Sequence, residues 1–149
     1  MGFFGNLFGS DNKEEKLSRI KLLIGLAAID DDGISAVERK FIFSNAAKMG
    51  LDKNDLAQAI QNIKEELRGK EGEYTLPTSK EERFDIVHDL VLLMLIDGNI
   101  DPKETEFCHK VAEKLGFDSS IVTDLVTQYI TDEDFKQKIK RLNEIANEE

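Results

Sequence analysis

The chain has 149 residues, 40% hydrophobic and 34% charged, with 30 acids against 20 bases and a formal net charge of −10. That length suits one domain with a real core, and the charge repels nucleic acid and anionic lipid at long range while favouring cations or basic partners. One cysteine excludes an internal disulfide, no apolar run approaches the ~18 residues of a membrane span, and no secretory leader is recognisable, so a cytoplasmic protein that does not bind nucleic acid is expected.

Residues 1–12 read as a flexible apolar tip in which Phe3, Phe4, Leu7 and Phe8 share one helical face. Such a face could touch a membrane peripherally or simply tuck onto the domain, and one short turn gives little membrane affinity by itself. From Lys13 the pattern is helical. Leu17, Ile20, Leu23, Ile24, Ala27 and Ala28 fall on one side, and the run ends at Asp30-Asp31-Asp32-Gly33. Ser35 and Glu38 form a capping-box signature for a second helix, with Val37, Phe41 and Ala46 inward and a stop at Gly50. Asp52 caps a third, with Leu56, Ile60, Ile63 and Leu67 inward. Residues 69–78 form the connector, punctuated by Gly69, Gly72 and Pro77.

Thr78 or Ser79 then caps the most hydrophobic helix, which is apolar on every face from Leu90 to Ile96 and so is expected to be wrapped by others. It ends at Asp97-Gly98, and Asp101, Pro102 and Glu104 open a fifth helix as N-cap, first residue and capping-box partner. That helix buries Val111 and Leu115 and stops at Gly116. Asp118 or Ser119 begins a sixth, with Ile121, Leu125 and Tyr129 inward. Thr131 caps a seventh, with Phe135, Ile139 and Leu142 inward. No segment alternates in the manner of a strand.

The chain also repeats itself. A shift of 66 residues, without gaps, sets Leu26 on Leu92, Asp31 on Asp97, Ile34 on Ile100, Glu38 on Glu104, Phe41 on Phe107, Ala46 on Ala112 and Gly50 on Gly116. Two equivalent three-helix units, each too small to bury its own core, would pack about a pseudo-twofold. The expected fold is therefore all-α, with about seven helices in two related repeats around a buried central helix. Its organisation is one domain over 13–149: repeat one at 17–68, the connector at 69–78, repeat two at 79–130 and a C-terminal helix at 131–147.

The repeat places two acidic turns on the molecule. Asp97 to Glu104 looks like half of an EF-hand loop, but Leu93 and Leu95 would then stand where oxygen ligands are required, as would Ala27 and Ile29 in the first repeat. Neither turn is an EF-hand. Asp31, Asp32 and Glu38 on one turn, and Asp97, Asp101 and Glu104 on the other, could still hold calcium or another divalent cation through carboxylates and waters. The structural alternative is that glycines, caps and capping boxes account for both turns. The three successive aspartates at 30–32 exceed what capping needs, and such crowded like charges repel unless a cation or basic partner offsets them.

Other chemistry is poorly supplied. Cys108 and His109 are neighbours on a helix and point about 100° apart, so they cannot form a nucleophile–base pair. His88 reads as a satisfied core or edge histidine. Two histidines and one cysteine make a poor zinc set, and neither a phosphate loop nor a triad is visible. No enzyme is expected.

Asp32-Gly33-Ile34-Ser35-Ala36-Val37-Glu38 and Asp97-Gly98-Asn99-Ile100-Asp101-Pro102-Lys103-Glu104 resemble the paired Asp-Gly motifs of TerB-like tellurite-resistance proteins. In that family each motif follows an alanine- or leucine-rich helix and precedes a helix with a Leu-Gly-like stop, as Met49-Gly50 and Leu115-Gly116 provide here. The Met-Gly-Phe-Phe opening is similar too, and the resemblance covers roughly Leu17 to Phe117. It implies an all-helical domain whose acidic turns bind divalent cations such as calcium, acting in bacterial tellurite and stress resistance within assemblies at the inner membrane face. By the family's motif the matching positions are Asp32 and Asp97 with Glu38 and Glu104. The ungapped repeat instead equates Asp31 with Asp97, so both first-turn aspartates stay candidates. The expected function is a non-enzymatic interaction module with a protein partner. The rival is an acidic helical adaptor for a basic protein, with purely structural turns and no metal.

Overall fold

The computed structural model describes residues 13–29, 34–67, 74–96, 100–118 and 120–147; the side chains of 63–67, 142, 143 and 145–147 are outside that description. Among the described residues there are seven helices and no strands: α1 (Lys13–Ala27), α2 (Ala36–Lys48), α3 (Lys53–Leu67), α4 (Lys80–Leu95), α5 (Pro102–Lys114), α6 (Ser120–Ile130) and α7 (Glu133–Asn147). Residues 1–12, including the expected Phe3–Phe8 face, lie outside the described residues.

Side-chain caps set where most helices begin. Ser35 Oγ accepts from the Glu38 N–H at 3.2 Å while Glu38 Oε1 accepts from the Ser35 N–H at 2.9 Å, the full capping box. Asp52 and Asp55 make the same reciprocal exchange at α3, both bonds at 2.9 Å. Ser79, of the two expected alternatives, caps α4 by accepting from the Glu82 N–H. At α6 it is Asp118, accepting from the Ser120 N–H at 3.0 Å. Two expectations fail: at α5, Asp101 Oδ1 accepts from the Lys103 N–H at 2.7 Å and not from that of its expected capping-box partner Glu104, and at α7 the cap is a different residue. Thr131 does not cap α7; its hydroxyl bonds back to the Thr127 carbonyl at 2.9 Å, closing α6, and Asp132 accepts from the Asp134 N–H instead. A carboxylate offers a stronger acceptor to the helix N-terminus than a hydroxyl, and Thr131 is needed by the helix before it.

The ends of α2 and α5 match bond for bond. Gly50 N–H donates to the Ala47 carbonyl and Leu51 N–H to Ala46, both at 3.0 Å; Gly116 N–H donates to Glu113 at 3.0 Å and Phe117 N–H to Ala112 at 2.9 Å. These are two Schellman motifs, offset by the same 66 residues as the helices they end. Gly50 and Gly116 carry φ of +78° and +91°, which a Cβ would resist.

Packing follows the repeat. Helix α1 lies on α2 and α3, α4 lies on α5 and α6, and α1 and α4 meet in the middle. The expected central helix therefore shares its place with α1. Val87, Leu90, Val91, Leu93 and Met94 of α4 are at most 1% exposed, and Ile20 and Leu26 of α1 are fully buried. Each such side chain contributes roughly 1.5–3 kcal/mol through removal from water. Helix α7 packs on α2 and α6, one helix from each half.

Some inward assignments shift by a residue. Ala28 is exposed, Ile60 is 38% exposed and Ala59 is fully buried in its stead. On α3 the contact runs through Asp55 and Ala59, four apart, and the buried Asp55 carboxylate is met by Lys13 at the start of α1 at 2.8 Å. On α6, Val122 is the most buried residue and Ile121 is only partly covered. The described end of the connector is docked onto the domain: Thr75 N–H donates to Ser18 Oγ at 2.7 Å, Lys21 Nζ sits 4.7 Å from the centre of the Tyr74 ring, and Pro77 is fully buried. Arg83 binds the Pro77 carbonyl at 2.6 Å through Nε and the Leu115 carbonyl at 3.2 Å through Nη1, tying the connector to the end of α5.

Candidate functional site

The two acidic turns join α1 to α2 and α4 to α5, the same place in each half. Of the six candidate ligands, Glu38, Asp101 and Glu104 are described; Asp31, Asp32 and Asp97 lie outside the described residues. Glu38 and Glu104 are each the third residue of their helix and each only 4% exposed. Two carboxylates so far removed from water at repeat-related positions are unusual, because burial penalises an ionised group unless other groups satisfy it. For Glu38 the satisfaction includes the Ser35 N–H. Asp101 sits at the rim, with Oδ1 accepting from the Lys103 N–H at 2.7 Å, and its carbonyl accepts from the Thr105 hydroxyl at 3.0 Å. Capping thus uses oxygens of both Glu38 and Asp101. Among the described residues alone, no three His, Cys, Asp or Glu side chains group closely enough to hold a metal.

Cys108 lies one helical turn beyond Glu104 and is fully buried. Burial, aided by the Glu104 charge, pushes its thiol up to about 12, so it stays protonated and unreactive at neutral pH. Its neighbour His109 presents Nδ1 to the interior without a partner among the described residues. A tautomer protonated on Nε2 leaves that atom a bare acceptor, a state folded proteins tolerate better than a stranded donor.

A second polar cluster joins the two halves and was not foreseen from the sequence. Arg19 of α1 donates from Nη2 to Asp89 Oδ2 of α4 at 3.0 Å, beside a cavity of about 10 Å³ edged by Met49 and Ile86. Burial raises the Asp89 carboxyl above its ordinary value, and the Arg19 guanidinium pulls it back only in part. Next to it on α4, His88 Nε2 is hydrogen-bonded to the Tyr129 hydroxyl of α6, and its ring lies between Phe84 and Tyr129. His88 is thus the satisfied edge histidine that its apolar surroundings suggested. Burial raises the Tyr129 hydroxyl, with Asp89 and Asp132 adding to it. A long-range ion pair of this kind leaves no local spacing signal; the one hint in the sequence is that the 66-residue offset sets the charged Asp89 against the apolar Leu23.

A family model described as "Tellurite resistance protein TerB" matches residues 10–125. The chain belongs to the TerB family. The match takes in both acidic turns, α1 to α5 in full and the first half of α6, extending beyond the stretch from Leu17 to Phe117 on both sides. No curated protein and no solved structure matches the chain. Within the TerB stretch lie all six candidate carboxylates and the Arg19–Asp89 pair, whereas α7 falls outside it. No helix among the described residues is long and apolar enough to cross a membrane.

Proposed function

We propose that this TerB domain is a non-enzymatic interaction module of a bacterial stress-response assembly of the tellurite-resistance type, cytoplasmic and peripheral to the inner membrane, whose protein contacts are tuned by a divalent cation such as calcium. The observation that carries this reading is the duplication within the TerB stretch: each Asp-Gly turn is followed by a glutamate at the third helical position that is only 4% exposed. The donor set, Asp31, Asp32 and Glu38 on one turn and Asp97, Asp101 and Glu104 on the other, consists of carboxylates alone. That chemistry suits a hard cation and not zinc. Bound there, a cation would supply positive charge to acids that otherwise repel one another. Support for a non-enzymatic role comes from the unreactive Cys108 and from His88, which is committed to Tyr129.

The second reading, an acidic adaptor for a basic protein with purely structural turns, draws on the capping geometry. Ser35 with Glu38, and Asp101 with Lys103, are complete as helix starts without a metal. A calcium and magnesium titration followed by amide NMR separates the two. The cation reading expects shifts at 34–38 and 100–104 that saturate below roughly 1 mM, the range of weak calcium sites, and that vanish in Asp32→Asn combined with Asp97→Asn. Linear, non-saturating shifts would remove the cation and leave the adaptor.

A further inference from the structure

Helix α7 lies beyond the TerB stretch and runs against the charge of the chain. Between Lys136 and Arg141 it carries four bases and no acid, in a protein of net charge −10. Phe135 and Ile139 pack against the core, so the apolar side of α7 is occupied by the domain. Lys136, Lys138, Lys140 and Arg141 are all exposed. Lys136 pairs with Glu133 at 3.4 Å, whereas Lys138, Lys140 and Arg141 make no ion pair among the described residues. With Gln137 and Glu144, these three line an open groove of about 340 Å³. Helix α2, against which α7 packs, is itself basic, with Arg39, Lys40 and Lys48 against Glu38.

We propose that the outward face of α7 is a docking site for a short carboxylate-rich segment of a partner protein. Charge complementarity selects acids, and Arg141 can hold a carboxylate through two parallel N–H bonds while the lysines act as point charges. The pattern along the helix selects a short segment. Asp132, Glu133 and Asp134 precede the basic run and Glu144 follows it, so the favourable footprint is only about 9 Å long at 1.5 Å per residue. A membrane surface or a nucleic-acid backbone spreads negative charge far beyond that length and would meet the acids at both ends. A few consecutive aspartates or glutamates would not. The proposal rests on the interaction-module reading but does not need a cation at the turns.

The test is fluorescence anisotropy of a labelled hexaglutamate peptide titrated with the full chain at about 50 mM salt, where screening is modest, together with amide NMR. The expected result is saturable binding with shifts confined to 133–144. Combining Lys138→Glu, Lys140→Glu and Arg141→Glu should weaken it by roughly tenfold or more, the matching glutamine variant should fall between, and the melting temperature should hold because these side chains are exposed. No saturable binding, or binding indifferent to the substitutions, would overturn the proposal. So would phosphatidylserine vesicles that sediment the wild type while the peptide fails to bind, since the face would then serve lipid. Cation binding is read at 34–38 and 100–104, so either proposal can fail while the other stands.

Discussion

Glycines at three positions do two kinds of work, and substitution separates them. Gly50 turns the chain at φ +78° with nothing within 4 Å of where a Cβ would stand. Gly50→Ala therefore meets no steric neighbour, only the left-handed backbone, and should cost about 1–2 kcal/mol. Gly116, at φ +91°, serves the equivalent turn. Gly25 sits inside α1, where an added Cβ would lie 3.5 Å from Phe107 Cζ, an ordinary contact. Gly25→Ala should stabilise the domain by about 0.5–1 kcal/mol by improving helix propensity. Urea denaturation of both variants checks the pair; a destabilised Gly25→Ala would mean that the Phe107 ring cannot give way. The Gly50 and Gly116 stops were legible because glycine after an amphipathic run is a local signal. Nothing local said that Ile60 would stay outside while Ala59 went in, because a helical spacing locates a face only to within a residue.

At the scale of elements, α7 lies outside the TerB stretch and is held to the domain through Phe135 and Ile139, which are only partly buried. The Tyr129 and Phe135 rings lie 4.6 Å apart, and Tyr129 is held in turn by His88. Phe135 is only partly buried, so Phe135→Ala should cost about 1–3 kcal/mol, below the 3–5 typical of a fully buried phenylalanine. That loss should be local. Hydrogen exchange at 133–144 should quicken while α1 and α4 keep their protection; exchange that rises equally in all helices would show α7 to be part of one cooperative unit. Phe135 and Ile139 make α7 readable as a helix, but residue type alone places its cap at Thr131, one residue before the Asp132 that serves. Thr131 and Asp132 are both good N-caps by type, and the choice depended on Thr131 closing α6, a contact made by the preceding helix.

Across the whole molecule, the Arg19–Asp89 pair fastens one half to the other. Both side chains are about one-quarter exposed, 24% and 22%, so the pair lies between a surface bridge and a buried one. Arg19→Met should cost about 1–3 kcal/mol at neutral pH, the intermediate range. The pH dependence follows from the raised Asp89 carboxyl. A carboxyl whose folded pKa exceeds its ordinary 3.8 favours folding when protonated; that contribution is full below 3.8 and is lost as pH rises through the raised value. Removing Arg19 withdraws the group that holds the pKa down, so the loss should extend to higher pH. Chemical denaturation from pH 3 to 8 should therefore give a wild-type–variant gap that widens with pH. A constant gap would mean that Asp89 is not the group responding to Arg19.

The sequence by itself determined the helices, nearly all of their starts and stops, the 66-residue repeat and the TerB resemblance. The helices and their ends rest on short-range rules: apolar spacing at 3.6 residues, cap chemistry within three residues, and glycine where φ must be positive; the repeat and the resemblance rest on the same signals recurring 66 residues along the chain. It also marked Glu38 and Glu104 as equivalent, although only as members of capping boxes. Tertiary structure decided what spacing cannot express. It put α1 beside α4 at the centre, buried both glutamates to 4%, shut Cys108 away from solvent and joined Arg19 to Asp89 across 70 positions. It also laid α7 across α2 and α6 so that its bases face outward. These outcomes depend on which helix faces which, a consequence of how two half-cores close on each other, and no window of the sequence contains both sides of that contact.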